Sequence, residues 1–140
     1  MSYLLDTNIL SELTKPKPNP RVLAWFAATP SDALHISVIT LGELRSGVER
    51  MPDSKRRESI RLWLEQTLAD WLGDRALPVS AAVADRWSRL TAQVKRPLPA
   101  IDSLLAATAL THNLRIVTHN TRDFALPGVD VVDPWDFTAP

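Results

Sequence analysis

Short apolar runs alternate with longer amphipathic segments along this chain, and that alternation restricts its fold more than any other feature. Residues 3–5, 34–37, 77–79, 115–118 and 129–132 have the length and apolar character of buried strands. Helical patterns separate them. One runs from Asn8 to Leu13, and Pro20 opens a second carrying Val22, Leu23 and Phe26. A third begins near Thr40, with Leu41, Leu44, Val48 and Met51 on one face. Ser54 caps a long fourth helix striped by Ile60, Trp63, Leu64, Leu68, Trp71 and Leu72, and Gly73 closes it. Ser80 caps a fifth bearing Val83, Trp87, Leu90 and Val94, and a sixth opens after Pro99 and runs to about His112. Strands joined through helices require crossover connections, hence a parallel sheet covered on both faces. With no repeat, low-complexity tract or linker, residues 1–140 are expected to form one α/β domain of three layers.

Composition removes several functions. The formal net charge is +0, so no global basic field attracts nucleic acid, and any such binding needs a local patch or metal ions facing phosphate. Cysteine is absent, which excludes disulfides, thiolate catalysis and cysteine zinc sites and is compatible with a reducing cytoplasm. No apolar run approaches the ~20 residues of a membrane helix, and the N-terminus lacks a basic signal-peptide region. A soluble, intracellular protein with no membrane partner is expected. Gly42, Gly47, Gly73 and Gly128 compose neither a phosphate loop nor a dinucleotide fingerprint, and no serine sits in a nucleophile elbow.

The acids are more informative. All strands of a parallel sheet end at one edge, where open α/β sheets bind ligands. Asp6 ends the first strand, Glu43 lies early in the helix after the second, Asp102 opens the helix leading into the fourth, and Asp123 follows that strand. Each has an ordinary explanation alone: a helix cap for Asp6, a capping box of Thr40 and Glu43, a favourable helix dipole for Asp102, a turn for Asp123. Together they conflict with those explanations. Two carboxylates ~4 Å apart repel by roughly 1 kcal/mol in water and ~4 kcal/mol near a protein surface. A hard cation relieves that repulsion, and an all-oxygen set favours Mg²⁺ or Mn²⁺. Of the histidines, His35 within a strand reads as core and His112 as a helix-end residue, while His119 lies near enough to the acids to contact them or a substrate.

YLLDTNILSE, ISVITLGELRSGVER, PAIDSLLAATAL and IVTHNTRDF, in this order and spacing, resemble the PIN-domain family, most of all the bacterial VapC toxins and their FitB-like relatives. The resemblance covers essentially the whole chain. It implies a five-stranded parallel sheet in the order 3-2-1-4-5 flanked by helices, and Mg²⁺- or Mn²⁺-dependent endoribonuclease activity in the cytoplasm. It further implies a homodimer, inhibition by a cognate antitoxin, and operator DNA as a partner of the toxin–antitoxin complex. On the same resemblance Asp6, Glu43, Asp102 and Asp123 carry the metal site, with Thr7, Asn8, Thr118 and Asn120 as polar neighbours that orient carboxylates, water or substrate. The chain departs from its relatives at two points. Residues 93–96 contain no glycine where relatives often have one, and His119 stands where they often have arginine.

The expected chemistry is attack by a metal-activated water on an RNA phosphodiester; the family resemblance implies a 5′-phosphate and a 3′-hydroxyl as products. Arg45, Arg50, Lys95, Arg96 and Arg122 are candidates for a positive rim. A signalling receiver domain shares the strand-end acids, but the segment LPVSAA lacks the phosphoacceptor aspartate it would need after strand three. The remaining alternative is a catalytically silent module acting only through an antitoxin and operator DNA. The presence of all four acids argues against it.

Overall fold

The computed structural model describes all 140 residues. Five parallel strands, β1 (Tyr3–Leu5), β2 (Leu34–Ser37), β3 (Ala76–Leu77), β4 (Arg115–Val117) and β5 (Val131–Val132), form a sheet in the order β3-β2-β1-β4-β5. The helices are α1 (Thr7–Leu13), α2 (Pro20–Ala28), α3 (Val38–Arg50), α4 (Lys55–Leu62), α5 (Ala69–Leu72), α6 (Ala81–Gln93) and α7 (Ala100–His112).

Successive strand side chains point to opposite faces, and the core divides accordingly. Leu5 and Val117 pair in register and join Ile9, Leu10, Trp25, Ile36, Val48 and Leu68 on one face. Leu4 and Ile116, the neighbouring pair, join Leu90, Leu105, Ala106 and Phe124 on the other. Both clusters are buried, so truncating Leu4 or Leu5 to alanine is expected to cost about 2–5 kcal/mol.

Where sequence and structure differ, local chemistry gives the reason. The third helix starts at Val38 rather than near Thr40, because the Ser37 side chain accepts from the N–H of Ile39 and caps it there. Thr40 is therefore inside the first turn, fully buried, and the capping box with Glu43 does not form. The edge strands are shorter than expected. Pro78 has no N–H to continue β3, and the N–H of Val129 is spent on the carbonyl of Leu126 in the turn before β5. β4 stops one residue early as a strand, yet the Thr118 N–H still donates to the Val132 carbonyl at 2.9 Å.

The long helix after Ser54 is capped as expected and ends at Gly73, whose φ of 54° suits a residue without Cβ. Its middle, Trp63–Leu68, widens into a π-helical segment. Leu64, Leu68 and Leu72 recur in steps of four, which drift around an α-helix of 3.6 residues per turn; widened turns keep all three against the core.

Candidate active site at the strand ends

The carboxyl ends of β1 and β4 lie side by side at the point where strand order reverses, the position at which open α/β sheets bind ligands. Asp6 follows β1 directly: its N–H donates to the Val117 carbonyl at 3.0 Å, closing the ladder, and its side chain then caps α1. Oδ1 accepts the Thr7 N–H at 2.7 Å. Oδ2 accepts the Thr118 hydroxyl at 2.8 Å and the Asn8 amide at 3.2 Å. Asp6 is thus both a helix cap and a buried carboxylate held at each oxygen.

Glu43 projects from the second turn of α3, and its Oε1 accepts the Thr7 hydroxyl at 2.5 Å. Asp102 sits in the first turn of α7. That turn is fixed by Ser103, which donates to the Ala100 carbonyl and accepts from the Trp87 indole at 2.9 Å, tying α7 to α6. Asp123 lies in a 3₁₀ turn, Thr121–Phe124, anchored by the fully buried Phe124.

Asp6, Glu43 and Asp102 line one cleft of about 480 Å³ with Thr7, Asn8 and Asn120. Asp123 does not line it but acts on it electrostatically. Burial raises the Asp6 carboxyl above its ordinary range; hydrogen bonds from Thr118 and Thr7 oppose that, and the charges of Glu43 and Asp123 add to it. Asp102 is pushed up to about 6, by burial first and then by Asp6, Asp123 and Glu43. None of the four takes part in an ion pair with lysine or arginine. The protein therefore gathers negative charge here without neutralising it.

A hard cation fits this donor set, since every donor is a carboxylate oxygen. No three acidic or histidine side chains close to ligand spacing in the protein alone. Mg²⁺, which retains several waters, asks for only one or two direct carboxylates.

The polar neighbours take distinct places. Thr7 holds Glu43, while Asn8 and Thr118 hold Asp6 and each other at 3.2 Å. Asn120 enters this network through its main-chain N–H, which donates to the Thr118 hydroxyl, rather than through its amide. Of the expected positive rim, Arg45 is turned to Glu49 and Glu65 on the helices instead. His35 is half-buried in β2, near the Tyr3 carbonyl, and His112 is exposed at the end of α7.

Sequence reasoning missed four further residues of the cleft: Ser11, Glu12, Lys15 and Trp135. The first three follow Asn8 at intervals of three, four and seven, the spacing of one helical face, and that signal was available. Glu12 is buried, takes the Lys15 ammonium at 2.8 Å and the Asn19 N–H at 2.9 Å, and is held below the usual carboxylate range by these bonds.

The PIN domain family model matches residues 3–128. The chain belongs to the PIN domain family. This PIN domain is 37% identical over 136 residues to the VapC ribonuclease Y4jK of Sinorhizobium fredii, covering 95% of the chain and 97% of that protein. It is 35% identical to toxin FitB of Neisseria gonorrhoeae, covering 94% of the chain and 97% of FitB. Among solved structures, FitAcB from N. gonorrhoeae superposes with a TM-score of 0.90 at 34% identity, over 96% of this chain and 99% of that one. FitAB bound to the IR36 DNA fragment gives 0.88 at 31%, over 98% of each chain. The sheet order expected from the family resemblance is the order observed. No helix of this PIN domain is long and apolar enough to cross a membrane.

Proposed function

We propose that this chain acts as one domain, a divalent-metal-dependent endoribonuclease, and is the toxin of a toxin–antitoxin pair working in the cytoplasm. The observation that carries the reading is the shared cleft of Asp6, Glu43 and Asp102, charged and free of any lysine or arginine partner, with Asp123 in electrostatic reach. The likeness to a VapC ribonuclease and to toxin FitB over nearly the full chain supports it.

Asp6, Glu43, Asp102 and Asp123 are the residues that would hold Mg²⁺ or Mn²⁺. Such an ion, when bound, lowers the pKa of a water and offsets the charge of the scissile phosphate. The chain's own residues do the rest. Thr118 and Asn8 lock Oδ2 of Asp6, so the carboxylate needs no reorganisation when substrate arrives. Thr7 occupies Oε1 of Glu43 and leaves Oε2 to accept the proton of the attacking water. The hydrogen bond from the half-buried Trp87 indole to the buried Ser103 keeps Asp102 aimed from a rigid helix start. The products are a 5′-phosphate and a 3′-hydroxyl.

The partners follow from the same relatives. FitAB is solved on a DNA fragment, and so is VapBC from Salmonella typhimurium. For this chain we accordingly assign a cognate antitoxin, a homodimer, and operator DNA bound by the joint complex.

The test is cleavage of RNA by the antitoxin-free protein in Mg²⁺, beside an EDTA arm and the Asp6→Asn variant. Loss of cleavage in both arms supports the assignment. Cleavage by Asp6→Asn at near wild-type rate overturns it, and an inert wild-type protein would favour the silent module acting through DNA.

A further inference from the structure

His119 lines the same cleft as the acids, yet neither its ring nor its surroundings are explained by holding a metal. Its Nδ1 lies 3.1 Å from Oδ2 and 3.3 Å from Oδ1 of Asp133, and Asp133 is itself fixed by the Trp135 N–H at 2.9 Å. The imidazole stacks on the Trp135 indole, with centroids 4.2 Å apart and planes 26° from parallel. Its main-chain N–H donates to Oδ1 of Asn8 at 3.3 Å, tying the residue to the Asp6 network. One edge and one face of the ring are thus occupied, while 51% of the side chain remains exposed. A core histidine would be covered. This one is clamped, and Nε2 is the ring position left for a ligand.

The charges around it are mixed. Glu12 on α1 and Asp133 in the C-terminal turn are the carboxylates coupled to His119; Lys15 on α1 lines the cleft but is bound by Glu12. Arg21 on α2 donates to the Trp135 carbonyl from behind. With Nδ1–H given to Asp133, donation from Nε2 needs a proton on both ring nitrogens, so the ring that donates there is a cation.

We infer that His119, presented by Asp133 and Trp135, donates from Nε2 to a backbone phosphate of the bound RNA. The inference rests on the ribonuclease reading above. His119 is a substrate contact at the exposed rim, distinct from the carboxylates at the depth of the cleft. It offers RNA a positive group where a cleft of acids otherwise repels the strand.

The experiment compares wild type with His119→Gln, His119→Arg and Asp133→Asn, using one RNA oligonucleotide in saturating Mg²⁺ over a range of salt. His119→Gln is expected to raise KM about tenfold with kcat within about twofold, and to reduce the slope of log KM against log salt by about 0.7. His119→Arg restores both KM and slope, and Asp133→Asn shifts KM in the direction of Gln but less. His119 is half exposed and Asn keeps the shape and the capping oxygen of Asp133, so all three variants are expected to fold, which thermal melting verifies. An unchanged KM and salt slope in His119→Gln overturns the inference, as does a loss confined to kcat. An inactive wild-type protein would sink the ribonuclease reading instead, so the two failures are distinguishable.

Discussion

Thr118 donates its hydroxyl to Oδ2 of Asp6 at 2.8 Å, a buried bond between residues 112 positions apart. It joins the ends of β1 and β4 and opposes the rise that burial imposes on the Asp6 carboxyl. Thr118→Val keeps the shape and deletes this bond together with those the hydroxyl accepts from the Asn8 amide and the Asn120 N–H. Hydrogen bonds to charged groups contribute about 1.5–3 kcal/mol, so urea unfolding of the variant is expected to show a loss of at least the lower figure. RNA cleavage should fall about tenfold as Asp6 loses its orientation. A variant as stable and as active as wild type would show the bond to be incidental.

Asp6→Asn separates charge from structure. The amide oxygen can still accept the Thr7 N–H, and asparagine caps helices about as well as aspartate. The melting temperature should therefore stay within a few degrees, while cleavage drops at least ~100-fold. Removal of one of the charges that raise Asp102 should also bring that carboxyl down from about 6, which a carboxyl-resolved NMR titration would detect. Unfolding of the variant would show that the charge serves the fold.

Asp102 makes stability depend on pH in an unusual direction. Its folded value of about 6 exceeds the ordinary 3.8, so between the two the folded chain binds a proton that the unfolded chain has released. Stability of the metal-free protein must then fall as pH rises through that window. Half-exposure and solvent screening reduce the effect to about 1 kcal/mol. Melting in EDTA should be higher at about pH 5 than at about pH 7, and Mg²⁺ should raise it at the higher pH only. A metal-free protein that loses stability on this acidification contradicts the proposed repulsion among the acids.

Thr40 offers a test away from the chemistry. Its Oγ1 is buried without a hydrogen-bond partner, a state that costs about 1–3 kcal/mol. Thr40→Val removes the orphaned hydroxyl at nearly constant volume and should stabilise the protein by about 1 kcal/mol in urea unfolding. Cleavage should be unchanged, because Glu43 is held by Thr7. A destabilised variant would mean that the hydroxyl has a partner in solution.

Much of this was legible in advance because it is local. Apolar runs of strand length, the caps at Ser54 and Ser80, Pro20 at a helix start and Gly73 at a helix end each depend on near neighbours; the caps, Pro20 and Gly73 stand where the sequence placed them, and the runs give all five strands, the edge ones shortened. The parallel arrangement then brought Asp6, Glu43 and Asp102 to one edge. What misled was also local: Thr40 and Glu43 have capping-box spacing, but Ser37 stands first at the strand end and takes the cap.

The residue sequence alone determined the alternation of strand and helix, and through it the edge at which the acids emerge. Only the tertiary structure decided which neighbours act on them. Thr118 on Asp6, Thr7 on Glu43 and Asp133 on His119 are pairings between elements, fixed by strand register and helix packing within a few tenths of an ångström. Periodicity carries no information at that scale. A hydrogen bond exists or fails over distances far smaller than the uncertainty of any spacing rule.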